Sequence, residues 1–164
     1  MSRLALAWAI AAAALLALPL ALSDFWIFIA IEVIAFALYA VSFNVLLAYG
    51  GMLSFGHAAF FGVGGYAAGI LVKQAGLPAA LAFALLPVAA MLVSALFALV
   101  IGFFSVQRSG IYFAMLTFAF QMLLYTIALK ATGITGGDDG LTGLRPPGAL
   151  AQPVSYYYFA LALV

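Results

Sequence analysis

The chain has 164 residues, 70% of them hydrophobic and 5% charged, with a mean hydropathy of +1.33. A soluble domain carries about 25% charged residues, so this composition excludes a water-soluble fold. A net charge of +1 with no basic patch excludes nucleic-acid partners. The absence of cysteine removes disulfide frameworks and thiolate metal sites.

Nine residues carry formal charge, and they punctuate the apolar runs: Arg3, Asp24, Glu32, Lys73, Arg108, Lys130, Asp138, Asp139 and Arg145. A helix needs about 20 apolar residues to cross a bilayer. Leu4 to Ser23 is one such run, expected to be a retained first helix rather than a cleaved leader because further spans follow at once. A second span is predicted from about Ile27 to Tyr49, with Glu32 about one turn inside its start. Glu32 is expected to snorkel to the interface. Asn44 is deeper, and its amide is expected to serve the backbone groups freed at the break that follows.

That break is the most informative feature of the chain. Val33 to Val72 is free of charge, yet seven of the 16 glycines fall between Asn44 and Gly69, in NVLLAYGGMLSFGHAAFFGVGGYAAG. The run is twice the length that one helix requires, and tandem Gly50-Gly51 is where it is predicted to break. Irregular backbone at membrane depth is tolerated only where it is buried in protein or lines a cavity. Interrupted spans of this kind point to the pathway in transporters.

The third span is predicted from Leu53 to Val72, ending at Lys73-Gln74-Ala75-Gly76. Ser54 and His57, three apart, would share a helical face at its start. Ser54 could cap the helix, and His57 either meets substrate or bonds a neighbouring helix. Gly62, Gly65 and Gly69 form a small-residue ridge expected to pack helices closely, with Gly65 and Gly69 as a small-xxx-small pair. Leu77 to Phe104 is the fourth span, kinked or delayed by Pro78 and Pro87. After a short Arg108-Ser109-Gly110 turn comes the fifth, Ile111 to Leu129, on which Thr117, Gln121 and Tyr125 recur every four residues as a polar stripe. A buried amide in lipid needs a partner, so this stripe either lines a wet path or bonds another helix. Residues 132–153 are polar and rich in glycine and proline, and are predicted to be a loop. Tyr156, Tyr157 and Tyr158 look like an interfacial aromatic belt. The last apolar run, Tyr156 to Val164, is too short to cross. The expected fold is therefore an all-α polytopic transmembrane bundle with about five hydrophobic segments, one following the Gly-Gly break, and a truncated sixth. Residues 1–164 would form a single transmembrane domain.

Loop charges do not orient it. With the N-terminus inside, Arg3 and Arg108 oppose Lys73, Lys130 and Arg145 outside.

Three pieces carry a family resemblance: GGMLSFGHAAFFGVGGYAAG (50–69), RSGIYFAMLTFAFQ (108–121) and TGGDDGLTG (135–143). In this order, the chain resembles LivM-type inner-membrane permeases of branched-chain amino acid ABC importers, over about Ile31 to Gly148. The resemblance implies a non-catalytic subunit of the bacterial inner membrane, without a cofactor or metal. Its partners would be a second permease subunit, two ATPase subunits and a periplasmic substrate-binding protein. It also implies that the chain is the N-terminal part of such a permease, with the ATPase-docking loop beyond Val164. Asn44, Ser54, His57, Thr117 and Gln121 are then candidates for the substrate path. Asp138 and Asp139, in a loop made periplasmic by the resemblance, are candidates for contact with the binding protein.

Three alternatives stand beside this reading. A related urea or amide importer carries similar glycine-rich text. An autonomous ion-coupled carrier would be expected to bury titratable groups, whereas the uncharged run holds only His57. An intramembrane hydrolase built on Ser54 and His57 lacks an orienting carboxylate nearby in sequence.

Overall fold

The computed structural model describes residues 3–74, 79–144 and 151–163, and among these it holds helices and no strand. The helices are α1 (Arg3–Ala21), α2 (Asp24–Gly50), α3 (His57–Gln74), α4 (Ala79–Ser105), α5 (Ile111–Lys130), the one-turn α6 (Thr132–Thr135) and α7 (Pro153–Ala162), with a 3-10 turn at Gly137–Asp139. Among the described residues each of the five predicted spans holds a helix, though the third is helical only from His57. Asp24–Gly50, Leu85–Ser105 and Ile111–Lys130 are long and apolar enough to cross a membrane. The α3 helix is not among them, because four glycines, His57, Lys73 and Gln74 dilute its apolar residues. Ala75, Gly76, Pro78 and Arg145, which entered the sequence expectations, lie outside the described residues.

The chain divides into two compact units, with the boundary after Leu38 inside α2. The first unit contains α1, the start of α2 and α7. Its core is Ile27, Ile31 and Ile34, spaced to form one stripe of α2, closed over Tyr157. Tyr157 is fully buried, and its hydroxyl donates to the Leu15 carbonyl at 2.7 Å. The reason lies four residues further along α1. Pro19 has no N–H, so the Leu15 carbonyl loses its helical donor, and the tyrosine replaces it. The Tyr158 hydroxyl donates to the Leu16 carbonyl at 2.9 Å, from a more exposed position. The expected interfacial belt is thereby corrected: Tyr157 is a core residue, because a freed carbonyl outcompetes the interface for its hydroxyl.

The second unit runs from the end of α2 to the 3-10 turn. The α2 helix stops at the predicted Gly50-Gly51 pair, where Gly51 takes φ 60, a left-handed value that L side chains rarely adopt. Its N–H donates to Leu47 O at 3.1 Å and that of Met52 to Leu46 O at 3.4 Å. These main-chain bonds serve the break, and Asn44 is exposed on α2. The expectation that its amide would serve the break is therefore corrected.

The α3 and α4 helices pack through a glycine outside the predicted ridge. A Cβ on Gly64 would stand 2.8 Å from Ser94 Oγ and 3.6 Å from the Ala90 carbonyl. Ser94 Oγ in turn donates to Phe60 O at 3.0 Å. Gly62 and Gly65 meet nothing within 4 Å, and Gly69 lies beneath the side chains of Leu141 and Leu144. The ridge is thus not a helix-packing seam within the described residues, because α3 is rotated to present Gly64 to α4. Pro87 lies inside α4 without ending it.

The predicted loop is more ordered than its composition suggests. It opens with α6, and Gly136 closes that helix in the left-handed conformation at φ 82. Thr135 is buried and its hydroxyl shares its one proton between the carbonyls of Ala128 and Ala131, while accepting the Gly137 N–H at 3.2 Å.

Two outcomes test this packing. Replacing Gly64 with Leu should cost about 1–3 kcal/mol or more by overpacking, whereas Gly65→Leu should leave the stability of α3 against α4 unchanged. Unfolding in detergent, followed by helical circular dichroism, reads the difference. Tyr157→Phe should cost about 1–3 kcal/mol by orphaning the Leu15 carbonyl. Pro19→Ala, which restores a donor to that carbonyl, should recover much of the loss in the double variant.

Candidate functional site

The residues from Gly51 to Gly56 form the irregular connection between α2 and α3. It is buried where it meets α5. A Cβ on Gly56 would stand 2.8 Å from the Thr117 carbonyl, so the connection lies directly against the α5 backbone. Ser54 and Thr117 are both 3% exposed. The Thr117 hydroxyl donates to Ala114 O at 2.9 Å, within its own helix. Phe55 meets Phe118 edge-on, with ring centroids 6.5 Å apart. Irregular backbone at membrane depth has to be covered by protein or line a cavity, and here α5 covers Ser54 and Gly56 while Gly51, Leu53 and Phe55 are exposed.

The helix that follows begins at His57, three residues later than Ser54. Ser54 is therefore in the connection and does not share a helical face with His57, which corrects the expected pairing. The left-handed turn at Gly51 and the close seat of Gly56 keep the chain irregular until the linker has cleared α5.

His57 reaches back to α2. Its Nε2 and Ser42 Oγ share a hydrogen bond of 3.1 Å. Tyr39 and Phe43 flank the imidazole, with centroids at 5.2 and 5.8 Å, and Phe61 meets Tyr39 at 5.7 Å. Tyr39, Ser42 and Phe43 recur at three and four residues, so α2 presents them on one face, as α3 presents His57 and Phe61. Sequence reasoning missed these partners, although the spacing was visible. The arrangement is a serine–imidazole contact walled by aromatic rings. Nucleophilic catalysis needs a base that is itself oriented by a third group, and the neighbours found around this ring are aromatic. Among the described residues no group of three or more His, Cys, Asp or Glu is gathered to hold a metal.

The predicted stripe of α5 divides between two surroundings. Thr117 lies under the connection, while Gln121 and Tyr125 line a cleft between α3 and α5 of about 380 Å³. From α3 the cleft is lined by Ala58, Ala59, Gly62, Val63 and Tyr66. Gln121 Oε1 is buried and has no hydrogen-bond partner among the described residues. Tyr66 escaped the sequence reading, although it stands one helical turn beyond Gly62 and shares its face. The structure thus brings Gly62, Gln121 and Tyr125 together. Asn44 does not join them. Asp138 and Asp139 are exposed on the 3-10 turn.

Residues 25–164 match the family described as branched-chain amino acid transport system / permease component. The chain is 29% identical over 119 residues to the high-affinity branched-chain amino acid transport system permease protein LivM of Salmonella typhimurium, covering 73% of this chain and 27% of that protein. It is 27% identical over 112 residues to the LivM protein of Escherichia coli K12, covering 68% of this chain and 25% of that protein. The chain therefore spans about a quarter of the length of the curated relatives it matches. No solved structure matches it significantly. The family match takes in α2 with its break, the connection seated on α5, and both walls of the cleft. This chain belongs to the family of branched-chain amino acid transport system permease components.

Proposed function

We propose that this chain is part of the membrane-spanning permease of an ATP-binding cassette importer and helps form the path for branched-chain amino acids. The observation that carries this reading is the family match over residues 25–164, joined to a helix break whose connection is seated on α5 at Ser54 and Gly56. Both compact units would belong to one transmembrane permease domain in the bacterial inner membrane. A second permease subunit would complete the path. Two ATPase subunits would drive alternating access, and a periplasmic binding protein would deliver the amino acid. Asp138 and Asp139, exposed on a turn held by Thr135, are proposed to meet that protein.

In this mechanism the chain performs no bond chemistry of its own. Its residues would orient cargo, exclude lipid from the path and transmit movement. The connection from Gly51 to Gly56 joins two helices without a continuous hydrogen-bond ladder, so α3 can tilt against the end of α2 at low cost. Asn44, Ser54, His57, Thr117 and Gln121 remain the proposed path-associated residues, with different tasks. Ser54 and Thr117 support the wall from its buried side. Asn44 faces outward from α2. The bond from His57 to Ser42 ties α3 to α2 across the break, which makes this histidine a positioning residue.

Vesicles holding the full-length permease, its second permease subunit and the ATPases should accumulate leucine, isoleucine and valine only with ATP and loaded binding protein. Uphill uptake without an ATPase would replace this reading with an autonomous carrier. Preference for urea or amides would move the chain to a related importer. In the same vesicles His57→Phe keeps a ring between Tyr39 and Phe43 but removes the bond to Ser42. It should lower stability by about 0.5–1.5 kcal/mol and leave KM for leucine unchanged. A large rise in KM would instead make His57 a substrate contact.

A further inference from the structure

The two sides of α5 have opposite surroundings. Phe113, Ala114 and Thr117 are buried in the second unit. About half a turn away around the same helix, Tyr112, Met115, Leu116 and Ala119 line a groove of about 580 Å³. Arg108, in the turn before α5, lines it too. A second hollow, of about 310 Å³, shares Met115 and is otherwise lined by Phe55 and Phe118. Both α4 and α5 are long and apolar enough to cross a membrane, which puts the turn that joins them at a membrane face. From Tyr112 to Ala119 the groove runs about 10 Å along the helix axis. That is about a third of a hydrocarbon layer about 30 Å thick.

The charge at the groove's end selects what fills it. The sequence holds no acidic residue between Glu32 and Asp138, and among the described residues no ion pair holds Arg108. Its guanidinium is a permanent positive charge at the mouth of an apolar groove. The guanidinium fork matches a phosphate in a planar, two-pronged contact. Tyr112 adds an aromatic ring with a hydroxyl at the same end, the kind of side chain that settles at headgroup level. The occupant that fits has an anionic head and a hydrocarbon tail. A partner's apolar helix would fill the groove but leave Arg108 without a counter-charge. An acidic peptide would pair with the arginine but leave the apolar groove empty.

We propose that this face of α5 binds one anionic phospholipid, its phosphate on Arg108 and Tyr112 and its acyl chains in the two hollows that flank Met115. The site goes beyond the permease reading and needs only that α4 and α5 span the membrane, whatever the cargo is. Through Phe55 the bound lipid also touches the connection between α2 and α3, so membrane composition bears on the break that Gly51 and Gly56 shape.

The test uses the full-length protein, with any subunits that stay bound to it, in vesicles of phosphatidylcholine. Leu123, 53% exposed and one turn beyond Ala119 on the same face, is replaced by cysteine in an otherwise cysteine-free background and labelled with a fluorophore. Phosphatidylglycerol or phosphatidylcholine with brominated acyl chains is then added at equal mole fraction, and quenching is compared. Phosphatidylglycerol should quench at about five-fold lower mole fraction, the ratio that one arginine near an anionic headgroup supplies. Arg108→Gln should remove this preference, while Arg108→Lys, which keeps the charge without the fork, should retain part of it. Ala119→Trp should also remove it by filling the groove, although Arg108 is intact; attraction of anionic lipid to a bare surface charge would survive that change. Where Arg108→Gln fails to assemble, Ala119→Trp and Arg108→Lys give the reading. Equal quenching by the two lipids, or a preference that survives Arg108→Gln or Ala119→Trp, would overturn the proposal. No quenching by either lipid would show the groove covered by protein and overturn it as well.

Discussion

Every backbone N–H and C=O at membrane depth must find its partner inside the protein, since lipid offers none. At three of this chain's helix interruptions an internal solution stands at that point. Pro19 frees the Leu15 carbonyl and Tyr157 supplies the missing donor. At the end of α2, Gly51 turns left-handed and its N–H, with that of Met52, returns to the carbonyls of Leu47 and Leu46. After α5, the Thr135 hydroxyl serves two carbonyls and one N–H while Gly136 closes the short helix. The fold of each unit follows from satisfying these groups.

The same constraint builds the candidate site. The irregular connection is seated on α5 at Ser54 and Gly56, where only glycine at position 56 allows the approach to Thr117. That seat fixes where α3 begins. Starting at His57 rather than Leu53, α3 presents Gly64 to α4 and leaves Gly62 beside Gln121 and Tyr125. A close seam on one side and an open cleft on another arise from one rotation of a glycine-rich helix. Packing in lipid rewards such close approach through van der Waals contact, without a hydrophobic drive between helices.

Polar side chains in the second unit separate by what surrounds them. Thr117 is satisfied by its own helix, and His57 by Ser42 and aromatic rings. Gln121 is left with a buried oxygen to share. Residues that looked alike in a hydropathy pattern therefore have unlike surroundings.

The sequence by itself determined the membrane class, the helical character of the spans, the break at Gly50-Gly51 and the family. These are local or compositional: charges end apolar runs, tandem glycine ends a helix, and contiguous text carries resemblance. Only the tertiary structure decided which glycine is packed, which serine meets His57 and which side of α5 is open. A period of 3.6 residues shows which residues share a helical face, but it does not show what that face meets. The rotation of α3 was hidden because its start depends on how far the connection must travel to clear α5. The task of Tyr157 was hidden because its partner, Leu15 O, lies 142 residues away in the chain. Such partners are chosen by which unpaired group comes within reach once the helices have packed.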